Sequence, residues 1–263
     1  MPSSSAKSSA RPQIVLSVVS HGQGSYVKQL LADIEKYCDE LSIHVLLTLN
    51  IAEPQFHNPG EYKFPISVIV NLAPKGFGAN HNAAFRHVAS DFCCVVNPDI
   101  RLVADPFPAL LDCAMSSRNI GLAAPQILSP GGEHENSARR FPTPWRIVKK
   151  YFGNRRLIEY PHTSCTYYPD WIAGMFMLVP SHVYAEMKGF DESYFLYYED
   201  VDLCGRLRLA GYEIACCPQV VVTHMAQRDS HRKIKYRMWH VGSMVRFFSS
   251  VVFVRLLWRS LWH

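Results

Sequence analysis

Apolar and polar positions alternate in short blocks through the first half of the chain. Apolar runs of about five to eight residues, rich in β-branched side chains, are typical of buried strands, and the longer amphipathic stretches between them are typical of helices. We predict strands at 13–20, 43–49, 67–71, 92–96 and 120–124, with helices near 25–37, 80–89 and 106–118. Strands separated by helices predict an α/β fold, in which a mostly parallel sheet is covered by helices on both faces.

The second half is less regular and begins with a connection at 135–169 that is rich in proline, arginine and tyrosine. A connection of this length is usually functional or forms a lid. The later predictions are a buried strand at 171–179, a short helix from Ser181, an aromatic loop at 189–198, a helix at 199–210 and a strand at 214–222. We expect three regions: a polar tail at 1–12, one α/β domain at 13–227 and a basic helical segment at 228–263.

Composition supports a folded domain. The chain has 263 residues, of which 48% are apolar and 19% charged, which excludes disorder and a coiled coil. Its eight cysteines form no CxxC motif, so reduced thiols and a cytoplasmic location are expected. No apolar run reaches the ~18–20 residues of a membrane-spanning helix, so we expect a soluble or membrane-attached chain.

Charge is concentrated at the end of the chain. From His224 onward there are eight basic residues and one acid, interleaved with aromatic and apolar residues. This pattern suits a helix at the inner face of a membrane. An amphipathic helix packed on the domain or in a homo-oligomer contact is the equal alternative. No nucleic-acid motif accompanies the charge, so nucleic acid is not an expected partner.

Three polar clusters lie where predicted strands end, which is where open α/β sheets bind ligands. The first runs from Lys75 to Asn82, and its two glycines would let the backbone approach an anionic ligand at a helix N-terminus. An ordinary glycine turn is the alternative. The second, Asn97-Pro98-Asp99, offers a carboxylate to a divalent cation, although the same residue types also form simple turns.

The third cluster contains Gly189-Phe190-Asp191-Glu192 and Tyr197-Tyr198-Glu199-Asp200-Val201-Asp202. A carboxylate at a helix start beside aromatic rings suits a general base, whereas capping of the helix dipole is the simpler explanation. Asp202 and Arg206 lie at i and i+4, so we assign that pair to structure.

With Ser20-His21 and Trp171-Ile172-Ala173-Gly174-Met175, these clusters occur in the order that resembles the family-2 inverting glycosyltransferases, in particular their rhamnosyltransferase-like branch. The resemblance covers roughly residues 14–224, and its later half is the more specific. It implies a GT-A fold and a nucleoside-diphosphate sugar donor, dTDP- or UDP-linked, bound through Mg²⁺ or Mn²⁺.

The resemblance also assigns residues to roles. Asp200 matches the catalytic base, with Glu199 as the second choice, and Asp99 and His224 match metal ligands; a surface or core histidine is the alternative for His224. The expected donor-binding residues are Ser20, Asn50, Lys75, Gly76, Phe77, Gly78, Asn82, Asn97 and Asp99. The expected acceptor-binding residues are Trp171, Gly174, Asp191 and Tyr198.

One departure concerns the site for the nucleobase and ribose, where many relatives carry an Asp-Asn or Asp-Asp pair after the second strand. Here the chain reads Leu49-Asn50-Ile51-Ala52-Glu53, so the contacts to the base are poorly assigned. Arg139-Arg140-Phe141-Pro142 either borders the acceptor or diphosphate or is a solvated basic turn.

The resemblance implies inverting transfer of a sugar, with rhamnose from dTDP-rhamnose favoured, to a glycan or lipid-linked glycan in cell-surface polysaccharide synthesis. A nucleotide-sugar-binding protein without turnover is one alternative. A nucleotidyltransferase is the other, but it would carry a glycine-rich basic loop after the first strand, and His21-Gly22-Gln23-Gly24 is a poor version. The enzyme hypothesis requires the carboxyl groups of Asp99 and Asp200 to face one cleft.

Overall fold

The computed structural model describes residues 12–38, 42–54, 60–152, 159–160, 163–225 and 234–261. The predicted polar tail, except for Pro12, lies outside the described residues. The same holds for the basic residues Arg228, Arg232 and Lys233.

Within the described residues, ten strands form two sheets. They are β1 (Gln13–Ser20), β2 (Ser42–Leu49), β3 (Ile66–Val70), β4 (Phe92–Val96), β5 (Ile100–Leu102), β6 (Ile120–Leu128), β7 (Ala138–Arg139), β8 (Trp171–Ile172), β9 (Phe176–Pro180) and β10 (Glu213–His224). Eight of them form the main sheet in the order β3-β2-β1-β4-β9-β6-β10-β5, and β7 pairs with β8. β1, β2, β3 and β4 run parallel, as do β6 and β10, whereas β9 and β5 run antiparallel to their neighbours.

Eight helices accompany the strands in the part of the chain that the structure describes. They are α1 (Gly24–Tyr37), α2 (Phe77–Phe85), α3 (Phe107–Met115), α4 (Pro144–Phe152), α5 (Ser181–Glu186), α6 (Glu199–Leu209), α7 (Ile234–Phe248) and α8 (Val251–Leu261). One core lies between the sheet and α1 and α3, and a second lies between the opposite face and α5, α6, α7 and α8. The predicted layered α/β fold is confirmed.

The prediction of one strand at 171–179 is wrong, because the chain turns at 173–175 and forms two strands, β8 and β9. β5, β7 and α4 were not predicted. Two or three strand residues are too few for periodicity to be visible, and α4 lies inside the connection that we expected to be irregular.

The cysteines agree with the expectation of reduced thiols. All eight are free, and the adjacent pairs Cys93-Cys94 and Cys216-Cys217 are buried in β4 and β10.

Of the two C-terminal helices, α8 packs against α6. An added Cβ on Gly205 would lie 2.7 Å from Val252 and 3.1 Å from Leu256, so α8 approaches the backbone of α6 closely. Among the helices of the described residues, none is long and apolar enough by itself to cross a membrane. α7 and α8 together have sufficient length and composition, but the chain bends by 58° between them.

Candidate active site

Asp99 lies in the short link between β4 and β5. The side chain is buried, and its Oδ1 has no hydrogen-bond partner among the residues that the structure describes. Its Oδ2 lies 3.3 Å from Nε2 of His224. A buried carboxylate oxygen without a donor is costly unless another group binds it, and a hard cation is one such group.

The antiparallel pairing of β5 with β10 explains why His224 lies there. His224 is opposite Ile100, and the amide of Met225 donates to the carbonyl of Asp99 over 2.8 Å. β5 is itself held to α1, because the Arg101 guanidinium binds both carboxylate oxygens of Asp33 over 2.6 and 2.8 Å. The predicted neighbourhood of Asp99 and His224 therefore results from a three-residue strand that the sequence pattern does not show.

Glu135 is a member of this cluster that sequence reasoning missed. Its Oε2 lies 2.8 Å from Nδ1 of His224. Burial alone would lower the pKa of His224, but hydrogen bonds with Asp99 and Glu135 raise it to about 9. The cluster thus favours positive charge between its two carboxylates.

The residues present fit a divalent cation in part. Within the described ranges, no three His, Cys, Asp or Glu side chains converge closely enough to hold a metal ion by themselves. Asp99 could supply a carboxylate oxygen and His224 an imidazole nitrogen, and Glu135 would orient the imidazole as outer-shell carboxylates do. The remaining ligands would have to come from water or from phosphate oxygens of a substrate.

The second carboxylate centre lies at the start of α6. Tyr197 and Tyr198, just before the helix, both have left-handed backbone conformations, with φ of 71° and 69°. Such a conformation costs a non-glycine residue about 1–2 kcal/mol, so the surrounding packing must enforce it. The strained turn sets the position at which Glu199 and Asp200 begin the helix.

Asp200 is held by backbone donors. Its Oδ2 accepts a hydrogen bond from the amide of Gly174 over 3.0 Å, and its Oδ1 accepts one from the amide of Val201 over 2.8 Å. Burial raises the pKa of Asp200, while these amides and the nearby Arg139 oppose the rise. The carboxylate is thus ionisable and oriented.

Glu199 differs from its neighbour. The side chain is buried, and its Oε2 meets no donor within the described ranges. Burial, and then the charge of Asp200, raise the pKa of Glu199 well above its usual range. Glu199 therefore retains its proton more readily than Asp200 does, which makes Asp200 the better base of the two.

A short path of backbone contacts connects the two centres. The amide of Asn97, two residues before Asp99, donates to the carbonyl of Met175 over 2.9 Å. Met175 follows Gly174, which binds Asp200. Asp99 and Asp200 therefore lie at the same edge of the main sheet, as the prediction of a common cleft requires.

The glycines of the Lys75 to Asn82 cluster serve a contact within the protein. An added Cβ on Gly76 would lie 2.7 Å from the carbonyl oxygen of Phe195, and one on Gly78 would lie 2.6 Å from Cβ of Phe190. The Phe77 amide also donates to the Phe195 carbonyl over 2.9 Å. We expected these glycines to let the backbone approach a ligand, but the surface that approaches them here is the aromatic loop.

Two amides assigned to the donor are bound within the protein. Asn50 Oδ1 accepts from Asn71 and from the Lys75 amide, and its Nδ2 donates to the Lys75 carbonyl. Asn82 uses all its positions on Tyr184, Phe190 and Glu192. In this arrangement both side chains hold loops in place. A direct contact with the nucleotide-sugar donor would require one of these hydrogen bonds to break.

The other residues assigned to the donor differ in exposure. Ser20 is buried and accepts from the Gln23 amide over 3.1 Å, so it shapes the turn after β1. Lys75 is exposed and Asn97 is half-buried. Lys75 is thus a side chain of this group that can reach a bound anion.

The residues assigned to the acceptor differ in burial and in their contacts. Gly174 leaves room for the Phe77 ring, which would lie 3.1 Å from an added Cβ. Trp171 and Tyr198 are nearly buried, and the Arg139 guanidinium lies 5.1 Å from the centre of the Trp171 ring. Asp191 is exposed, and its Oδ1 accepts from the Ser193 amide over 2.9 Å. Arg139 thus stacks on Trp171 and also lowers the pKa of Asp200.

The main sheet and its helices have the GT-A fold. The structure is similar to that of GalNAc-T7 solved with UDP, GalNAc and Mn²⁺, with a TM-score of 0.67 and 12% sequence identity. The match covers 83% of this chain, and this chain spans 44% of that one.

The sequence comparisons identify the family. The family model described as "Glycosyltransferase like family 2" matches residues 60–240, well over half of the chain. The chain therefore belongs to this family, and the predicted resemblance is confirmed.

Curated relatives agree. The rhamnosyltransferase WbbL of Escherichia coli K12 is 29% identical over 255 residues, which cover 89% of this chain and 92% of the relative. An N-acetylglucosaminyl-diphospho-decaprenol L-rhamnosyltransferase of Mycobacterium tuberculosis is 27% identical over 235 residues, covering 81% and 76%.

Proposed function

We propose that the protein transfers a sugar, with rhamnose from dTDP-rhamnose favoured, to a glycan or lipid-linked glycan acceptor during cell-surface polysaccharide synthesis. The names of the two curated relatives support rhamnose. The observation that carries the proposal is the path through Asn97, Met175 and Gly174, which brings Asp99 and Asp200 to one edge of the sheet.

In this proposal Asp99 and His224 hold a Mg²⁺ or Mn²⁺ ion, and Glu135 orients the imidazole of His224. The cation, when bound, neutralises the diphosphate leaving group as a Lewis acid. Lys75, the exposed cation at the start of the glycine loop, steadies the same charge. The mannosyltransferase PcManGT, a solved GT-A structure at a TM-score of 0.62, contains GDP-Man and Mn²⁺, which supports a metal-assisted donor site.

Asp200 is the proposed general base. Its carboxylate is fixed by the amides of Gly174 and Val201 and takes the proton of the acceptor hydroxyl as that oxygen attacks the anomeric carbon. A single displacement from the face opposite the diphosphate inverts the anomeric configuration. No covalent sugar intermediate is needed, so a second nucleophile is not part of the proposal.

The donor site can be tested by calorimetry with dTDP-rhamnose, UDP-N-acetylglucosamine and GDP-mannose, with and without Mn²⁺ or Mg²⁺. We expect one of these sugar donors to bind only when the metal ion is present. In the Asp99→Asn variant, the metal ion should no longer increase donor binding. Gln23→Ala, which retains the amide that binds Ser20, is the matched control. The proposed site would be contradicted if every donor bound without metal, or if no donor bound under any condition.

The reaction can be tested with the preferred donor and a synthetic lipid-linked acceptor. We expect transfer with inversion, read from the anomeric coupling in the product. Donor binding without transfer to any acceptor would instead favour a nucleotide-sugar-binding protein.

A further inference from the structure

α7 and α8 are fixed to the catalytic domain by one face. Ser243 Oγ donates to the Leu196 carbonyl over 2.9 Å, and the ring centres of Trp239 and Phe195 are 4.6 Å apart. Phe247 is fully buried and Phe253 nearly so. These contacts involve the aromatic loop just before Glu199 and Asp200, so the position of the two helices is tied to the catalytic edge.

The opposite face of α7 is apolar and exposed. At about 100° per residue, its four apolar side chains fall within an arc of about 60°. They are between 53% and 77% exposed: Ile234, Met238, Val241 and Val245. A large apolar stripe left in water is uncommon and indicates an interaction surface.

α8 exposes an apolar stripe of its own. Val251, Val254 and Trp258 are between 47% and 68% exposed and fall within a similar arc of about 60°. Val252 and Leu256, which contact α6, lie on the other side of the helix. Both helices therefore bind the domain with one face and expose apolar side chains on another.

The charge of this segment indicates what covers it. Residues 234–261 contain no Asp or Glu, and all five of their cations are exposed: Lys235, Arg237, Arg246, Arg255 and Arg259. On the helical projection, Arg237 and Lys235 flank the stripe of α7 on opposite sides, and Arg255 borders that of α8. An apolar stripe bordered by cations is complementary to a bilayer with anionic headgroups.

A second copy of the chain fits this surface less well. In a twofold dimer the same patch meets itself, so the five cations of one copy would face those of the other without any acid in the segment. We propose that the exposed face of α7 and α8, defined by the seven apolar residues above, rests on an anionic lipid bilayer. The aromatic loop and Asp200 would then lie close to that surface.

This inference goes beyond the proposed function, because binding to a surface needs neither donor nor acceptor. The test is sedimentation of the full chain with two kinds of vesicle. One contains phosphatidylcholine alone, and in the other about 30% of the lipid is anionic phosphatidylglycerol. We expect binding only to the anionic vesicles, and we expect it to weaken as salt is raised.

Two variants separate the contributions. The double variant Val241→Asp and Val245→Asp should no longer sediment with the vesicles. The double variant Arg237→Gln and Arg255→Gln should lower the binding constant for the vesicles on the order of 30-fold, at about fivefold per cation. The control is the double variant Val103→Asp and Met115→Asp. Both side chains are 57% exposed, and Met115 lies on α3, on the opposite face of the sheet from α7 and α8. The control should bind as the unaltered chain does.

A second measurement does not depend on the folding of the aspartate variants. Lipids brominated in their acyl chains should quench the fluorescence of Trp258, and Trp258→Phe should remove that part of the quenching. Absence of binding to anionic vesicles would overturn the proposal. Retention of the protein on the vesicles after alkaline carbonate washing would also overturn it, because this would indicate insertion into the bilayer. A dimer in light scattering that dissociates in the Val241→Asp and Val245→Asp variant would overturn it as well.

Discussion

The proposed donor side and the proposed acceptor side of the candidate site are built in opposite ways. On the donor side, neutral amides bind one another: Asn71 Nδ2 donates to Asn50 over 2.9 Å and to Asn80 over 2.7 Å. On the acceptor side, Glu199 is buried and Asp200 is half-buried, and both follow the strained turn at Tyr197 and Tyr198. A satisfied network of neutral amides stabilises a loop. The two acids can in addition gain or lose a proton, which the amides cannot do.

The largest expected effect tests the acceptor side directly. Asp200→Asn keeps the shape and removes the base, so we expect kcat to fall by about 10²–10⁴-fold while donor affinity is retained. Steady-state kinetics and donor calorimetry measure the two effects. The matching change on the donor side is Asn71→Ala, which should alter donor KM more than kcat; the reverse pattern would break the comparison.

A smaller effect concerns the contact between the two sides. Gly78→Ala would place a Cβ 2.6 Å from Cβ of Phe190, so we expect unfolding to become about 1–3 kcal/mol easier. Denaturant unfolding measures this loss. Gly242→Ala is the control, because no atom lies within 4 Å of its added Cβ and alanine should stabilise the helix by about 0.5–1 kcal/mol. Equal stability of the two variants would show that the loops do not pack as described.

A third prediction tests the carboxylate behind His224. Glu135→Gln weakens the hydrogen bond that orients the imidazole, so we expect half-saturation at about 10–100-fold higher Mn²⁺. A Mn²⁺ titration of donor binding measures the shift. Glu133→Gln, an exposed change two residues away, should leave the titration unaltered. The same Mn²⁺ requirement in both variants would remove Glu135 from the site.

The smallest effect is on stability and pH. Because the pKa of Glu199 is raised in the folded chain, the folded state keeps a proton that the unfolded chain releases above its ordinary pKa near ~4.3. Stability of the unaltered chain should therefore fall, through this group, as pH rises from that value towards the raised pKa.

Glu199→Gln has no such dependence, so its Tm should exceed that of the unaltered chain by more at pH 8 than at pH 5. We expect about 2–4 °C for each kcal/mol involved, measured by thermal unfolding. Parallel Tm curves would show that Glu199 is not the proton-holding member of the pair.

Sequence prediction succeeded where one element contains its own signal. β1 and β4 were predicted with their observed bounds, because each is an apolar run ended by polar residues. The structural pair of Asp202 and Arg206 is also confirmed, with 2.7 Å between Oδ2 and Nε, since i,i+4 neighbours meet on any helix.

Prediction failed where a distant group determines the local conformation. The strand at 171–179 is interrupted at Gly174, whose amide binds Asp200 and whose missing side chain leaves room for Phe77. Glu135 carried no signal at all, because its partner lies 89 residues away in sequence.

The sequence by itself determined the order of most strands and helices, the family and the residue types that end the predicted strands, since these depend on local periodicity and on motifs read along the chain. Only the tertiary structure decided which carboxyl group has the more strongly raised pKa, which amides are already bound and which cation lowers the pKa of Asp200. Burial and hydrogen-bond partners set these properties, and both arise from residues far apart in the chain.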